Sequence, residues 1–127
     1  MKTGFLIILT IVLFSCSNDD LNTVTALEGK WVEVNTKTDT LTFGKIGEQD
    51  AMILGRGREM RNGVSSPKYG SGPYEYEILT KKISLRWYLS SNSAFNEFFF
   101  NQTGGMLIVE KFYDTNIQGT LLIFEKL

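Results

Sequence analysis

The chain has 127 residues and a formal charge of −1, from 13 basic and 14 acidic side chains. That is enough for one small domain, without the basic excess of a nucleic-acid binder. Its 43% hydrophobic and 13% aromatic residues can build a packed core and argue against disorder. Histidine is absent and Cys16 is the one cysteine. Ser-His-Asp and Cys-His catalysis are therefore excluded, as are a zinc site of Cys and His and an intrachain disulfide. Carboxylates, lysines, tyrosines and serines remain, a thin set for acid–base work, in which histidine most often serves. No catalytic residue, metal ligand or cofactor is expected.

Lys2 precedes a run from Phe5 to Phe14 that is apolar except for Thr10. The run is half the roughly 20 residues that a membrane-spanning helix needs. Positive charge, a short apolar segment and the small Ser15 together read as a secretory signal peptide. Leu13-Phe14-Ser15-Cys16 resembles the bacterial lipobox, with Leu13 at −3 and Ser15 at −1 of the cleavage site. The resemblance implies cleavage before Cys16, a thioether-linked diacylglyceryl group on its sulfur and acylation of the new amino terminus, palmitate being a typical chain. The protein is then expected in the outer membrane of a Gram-negative cell, held by lipid. Residues 1–15 would be the leader, 16–28 a tether with a short helical segment, and 29–127 the folded domain. Ser17-Asn18-Asp19-Asp20 is polar, as a solvated tether should be, and resembles the acidic signal that sends some lipoproteins to the cell surface. Leu21 to Glu28 could form one or two helical turns, with Asn22 or Thr23 as N-cap and Gly29 as stop.

Beyond Gly29 the hydrophobic period changes to two. Eight strands are expected, over 30–35, 40–46, 51–56, 73–79, 82–89, 94–100, 105–112 and 119–126, separated by turn-forming residues. Leu41 and Phe43 share one face, as do Tyr74, Tyr76 and Ile78, and Ile83, Leu85, Trp87 and Leu89. Phe98-Phe99-Phe100 and Leu121 to Phe124 are apolar on both sides, so their outer face calls for a cover. Short strands joined by turns suggest an antiparallel meander, and closing it into a barrel removes its exposed edges. Residues 55–72, rich in glycine, read as a long loop of the sort that is functional or mobile.

Gly29-Lys30-Trp31 resembles the Gly-x-Trp signature of lipocalins, whose fold is an eight-stranded up-and-down barrel. In that family the tryptophan plugs the closed end and an arginine from near the last strand packs across it. Here no arginine follows Arg86, and Lys126 is a poorer match because ammonium lacks the planar guanidinium face. The chain is more similar to the small lipocalin-like domains of bacterial lipoproteins. That resemblance makes Gly29 and Trp31 structural residues of the barrel base and implies binding rather than catalysis.

Phe43, Tyr74, Tyr76, Trp87 and Phe99 would line one wall of a ligand site if all point inward; the alternative is a filled core, since an eight-stranded barrel can be packed solid or hold one small ligand. Arg56, Arg58, Arg61 and Lys68 place four cations in the long loop, with Glu59 opposing them, as an anion-binding lip or a solvated loop. Gly55-Arg56-Gly57-Arg58-Glu59-Met60 begins like a dinucleotide fingerprint but ends in methionine without a following helix. Glu75 with Glu77, and Glu97 with Glu110, are the carboxylate pairs that glycosidase chemistry could use, but the first pair sits on a face expected to meet solvent. The Asn101-Gln102-Thr103 sequon is irrelevant on a bacterial export route.

In an eight-strand meander alternate connections lie at opposite ends. The long loop should then stand at one end, and the tight turns, the start of the first strand and the lipid tether at the other. The expected function is binding of a small apolar molecule at the mouth, with a protein-interaction module (inhibitor, immunity-like protein or accessory subunit) as the alternative. The expected partners are the membrane, through the anchor, and that ligand or protein, with no nucleic acid.

Overall fold

Alternation along short strands governs the architecture. The computed structural model describes residues 27–114, 116 and 119–127. Cys16, the expected leader and nearly all of the expected helical segment lie outside the described residues; Leu27 and Glu28 are in irregular backbone. The strands are β1 (Gly29–Glu33), β2 (Thr40–Ile46), β3 (Gln49–Gly55), β4 (Arg58–Arg61), β5 (Val64–Pro67), β6 (Gly72–Leu79), β7 (Lys82–Trp87), β8 (Asn96–Thr103), β9 (Met106–Glu110) and β10 (Leu121–Lys126). Eight of them close into a barrel in the order β1-β10-β9-β8-β7-β6-β3-β2, and β4 and β5 pair with each other alone. Every pairing is antiparallel. The fold is thus all-β, with the expected number and sequence of barrel strands. Ends differ by a few residues; β8 runs on to Thr103, leaving Gly104-Gly105 as the turn.

One expectation is corrected. Residues 58–67 are not loop but a hairpin, in register Arg58↔Pro67 to Arg61↔Val64. Its turn is Asn62-Gly63, with φ of 50° and 77°. Two left-handed residues in succession match the right-handed twist of paired strands, and Asn-Gly is the pair that adopts them most readily. The signal was hidden because neither flanking tetrapeptide alternates apolar with polar residues.

Inward-facing side chains fill the barrel. Leu41, Met52, Ile83, Leu107 and Phe124 are 0% exposed, so no space large enough for water borders them. Cross-strand register explains their meeting: Leu41 lies opposite Trp31 and Leu54, Phe43 opposite Met52, Tyr76 opposite Leu85, and Phe124 opposite Leu107. Phe43 and Tyr76 pack edge to face with centroids 5.3 Å apart. Burial, with the charges of Asp50 and Glu28 adding to it, pushes the Tyr76 phenol up to about 12.

The tight turns, Gly47-Glu48, Thr80-Lys81 and Gly104-Gly105, gather at one end. Trp31 is 1% exposed there, opposite Lys126, whose Nζ stands 5.7 Å from the indole centroid. A Cβ at Gly29 would touch the Lys126 stem at 3.4 Å. Lysine thus covers the indole where the family resemblance asks for arginine, a contact of about 0.5–1 kcal/mol at an exposed site. The indole N–H is buried without a partner among the described residues, so Trp31 contributes through apolar packing. Trp31→Ala should destabilise the domain by about 3–5 kcal/mol, the cost of deleting a large buried aromatic. Lys126→Ala should cost less than about 1 kcal/mol. Chemical denaturation of the two variants checks both, and equal losses would contradict this division of labour.

Candidate functional site

The opposite end of the barrel carries the long connections, and its chemistry starts at the end of β1. Glu33 faces inward across from Phe124 and is 2% exposed. Its carboxylate accepts the backbone N–H groups of Asn35 at 3.1 Å and Thr36 at 2.6 Å, and the Asn35 side-chain amide at 3.0 Å. Burial alone would raise its pKa, but these hydrogen bonds outweigh it and hold the carboxyl below its ordinary 4.5. The turn so fixed returns the chain to Asp39, whose carbonyl accepts the Glu33 N–H at 2.8 Å.

Asp39 is the hub of the rim. Its Oδ2 accepts the Tyr113 hydroxyl at 2.9 Å and the Arg56 Nε–H at 3.3 Å. Arg56 follows β3, donates Nη1–H to the Tyr69 carbonyl at 2.8 Å, and lies with its guanidinium carbon 4.3 Å from the Tyr113 ring centroid. Lys111 approaches the same ring at 5.6 Å and pairs with Asp114 at 3.3 Å. Burial, and Asp39 as acceptor, push the Tyr113 phenol far above its usual value, so it stays a neutral donor.

A second group is aromatic. Tyr74 packs edge-on to Trp87 at 5.0 Å and to Phe112 at 5.1 Å; Phe112 in turn meets Tyr113 at 5.2 Å and Phe98 at 6.0 Å. Two glycines admit these rings. A Cβ at Gly70 would lie 2.6 Å from Tyr113 Cβ, and one at Gly72 would run into the Trp87 ring. The Tyr74 hydroxyl donates to the Gly70 carbonyl at 2.8 Å, and burial pushes its pKa up to about 12.

Together these residues stopper the barrel and form two adjoining clefts on its outer rim. One, of about 310 Å³, is lined by Tyr69, Gly70, Tyr74, Trp87, Phe112 and Tyr113. The other, of about 350 Å³, is lined by Arg56, Tyr69, Tyr113, Asp114 and Asn116. Tyr69 and Tyr113 form the wall between them.

Of the aromatics proposed from sequence as a ligand wall, Tyr74 and Trp87 border this site. Phe43 and Tyr76 lie below it in the packed core. Phe99 points outward, 38% exposed and opposite Lys82, because Phe98 and Phe100 take the inward positions. Of the four loop cations, Arg56 alone lines the clefts. Arg58 donates across the hairpin to Ser65 Oγ and the Ser65 carbonyl, and Arg61 to Glu59 and the Pro67 carbonyl. Lys68 closes the hairpin base through its backbone N–H to the Gly57 carbonyl at 3.1 Å. Gly29 and Trp31 are at the far end of the barrel.

Three of the four carboxylates in these pairs are engaged structurally. Glu75, on the face expected to meet solvent, is 8% exposed because Arg86 pairs with it and stacks on Phe95. Glu77 is exposed on the same face. Glu97 pairs with Lys82 at 2.9 Å, and Glu110 accepts the N–H groups of Phe99 and Gly119. Among the described residues no group of three or more acidic or sulfur side chains could hold a metal ion. Sequence reasoning missed Asp39, Tyr69, Phe112 and Tyr113. The trace it could have followed is the aromatic pair 112–113 at the entry to a polar connection, with small Gly70 and Gly72 to receive it.

Comparison with family models, curated proteins and solved structures gives no match. The rim must be interpreted from its own geometry.

Because the pKa of Glu33 is lower folded than unfolded, its contribution to stability is complete above about pH 4.5 and is lost as pH falls through the folded value. Thermal melts between about pH 6 and pH 3 should show this acid loss, and Glu33→Gln should be less stable near neutrality with a flatter acid limb. An unchanged acid limb in that variant would remove Glu33 as its source.

Proposed function

We propose that the chain is a lipid-anchored, lipocalin-like binding protein that holds a small, largely apolar ligand at the rim of its barrel and performs no catalysis. The observation that carries this reading is the aromatic cleft above a filled interior: a concave apolar surface with a few fixed polar groups is the usual form of a small-molecule site. The core leaves no lumen beside Leu41, Met52, Ile83, Leu107 and Phe124, so the ligand sits over the stopper formed by Phe112 and Tyr113. The absence of catalysis is supported by carboxylates that are paired or capped and by phenols kept neutral through burial. The lipocalin-like reading rests on the meander, the Gly29-x-Trp31 opening and Lys126 over the indole.

The anchor is Cys16, and two or more acyl chains give stable attachment where one does not. β1 begins at the tight-turn end, so the tether joins the barrel there and the rim faces away from the outer membrane, with Asp19-Asp20 favouring the cell surface. The native amino-terminal peptide should carry three acyl chains on Cys16, and a free thiol in that peptide would refute the anchor. For the site, N-phenyl-1-naphthylamine, a neutral apolar fluorophore, should brighten on binding. Tyr69→Ala should weaken that binding about tenfold, whereas Glu48→Ala, in the tight turn between β2 and β3 at the opposite end, should leave it unchanged. Equal binding by all three proteins would place the probe elsewhere.

A second reading, a protein-interaction module, is favoured by the outer face of β8 to β10. Phe99, Met106 and Leu121 are exposed there, beside outward-facing Ile108 and Ile123. Such a patch is a recognised mark of a contact surface.

A further inference from the structure

We infer that the rim site binds a neutral saccharide, with the apolar face of a sugar ring on the aromatic cleft and its hydroxyl edge in the polar one. This rests on the reading of the rim as the ligand site, but replaces the largely apolar ligand of that reading with an amphipathic one.

Four observations lead there. First, the charges around the polar cleft cancel. Arg56 is matched by Asp39 at 3.3 Å and Lys111 by Asp114 at 3.3 Å. An anionic ligand would have to compete with Asp39 for the guanidinium, and a cationic one with Arg56 for the carboxylate, so neither pair offers an uncommitted charge to select an ion. Second, the polar side offers donors and acceptors together: the Arg56 guanidinium, the Asp114 carboxylate and the Asn116 amide. Hydroxyl groups donate and accept, and a ring bearing several of them suits a mixed set better than a carboxylate or an ammonium does.

Third, the aromatic cleft presents mainly ring surface, because two of its three tyrosine O–H groups are turned to protein acceptors, Tyr74 to the Gly70 carbonyl and Tyr113 to Asp39. Amphipathic rings of this kind pack against apolar C–H faces while their surroundings stay wet. Fourth, the site is open: Tyr69, which lines both clefts, is 69% exposed. A fatty chain gains its affinity from enclosure on all sides, and the filled interior denies it. An open, two-part cleft instead covers one face of a ring and lets a chain continue past it on either side.

The two tryptophans supply the assay. Trp31 is sealed under Lys126 at the opposite end, while Trp87 lines the aromatic cleft, so ligand-dependent change in indole emission reports the rim. The purified full chain, kept in a sugar-free detergent, is screened on an array of neutral glycans. Hits are then titrated by tryptophan emission, beside hexagalacturonate as the anionic control and N-phenyl-1-naphthylamine as the apolar one. At least one neutral glycan should saturate the signal and bind tenfold or more tighter than hexagalacturonate. Tyr69→Ala should lower its affinity tenfold or more with an unchanged thermal midpoint; Trp87→Phe, which removes the reporter indole, should abolish the emission change, and a change that survives in it would overturn the rim as the ligand site. Saturation by the naphthylamine with no neutral glycan bound would overturn the saccharide and leave the rim as the ligand site. Tighter binding of hexagalacturonate would overturn the charge argument, and no response to any probe would overturn both readings.

Discussion

Pairing of β1 with β10 is the contact on which the rest of the molecule depends. β1 has five residues, yet it supplies both the seam with β2 and the seam that closes the barrel. Beyond the ladder itself, the Leu127 N–H reaches the Lys30 carbonyl and the Val34 N–H reaches the Ile123 carbonyl, so the seam is bonded past both of its ends. Closure leaves no free edge in the main sheet and sets Trp31 beside Lys126 at one end. At the other it delivers Glu33 to the turn whose amides it caps. From that turn a short sequence of contacts, Asp39 to Arg56 and Tyr113, reaches the rim. The site is therefore an outgrowth of barrel closure rather than of any one loop.

The filled interior follows from the same geometry. Eight strands enclose a volume that ordinary side chains can occupy completely, and here Trp31, Phe100, Phe124, Met52 and three leucines do so. A barrel of this size with larger residues inside has nothing left to offer a ligand except its ends. One end is sealed by the indole and the lysine. The other is stoppered by the buried rings of Phe112 and Tyr113, and the half-buried Tyr74 and Trp87 and exposed Tyr69 beside them make a recognition surface of what would otherwise be a cap.

How much of this was legible in the sequence depended on the range of the interaction. Strand order could be read because alternation is local: Leu41 with Phe43, and Ile83 with Leu85, announce their faces within a few residues. The long connection between β3 and β6 was visible from its glycines, though its hairpin was not, since Asn62-Gly63 sits between tetrapeptides of mixed character. Three consecutive phenylalanines at 98–100 carry no phase, and only pairing with β7 decides that Phe99 faces outward. Asp39 was beyond reach for another reason: Arg56 is 17 residues away and Tyr113 is 74, so nothing in its neighbourhood reveals a hub.

The β4–β5 hairpin holds itself together through Arg58, Arg61 and the closure of Gly57 on Lys68, and it is inserted between two strands, β3 and β6, that are already neighbours in the barrel. Its removal would shorten a connection without breaking a ladder. The fold thus contains a ready splice point: a segment that evolution could lengthen, replace or delete, and into which an engineer could graft a foreign epitope or recognition peptide, while the register of the host barrel carries on undisturbed.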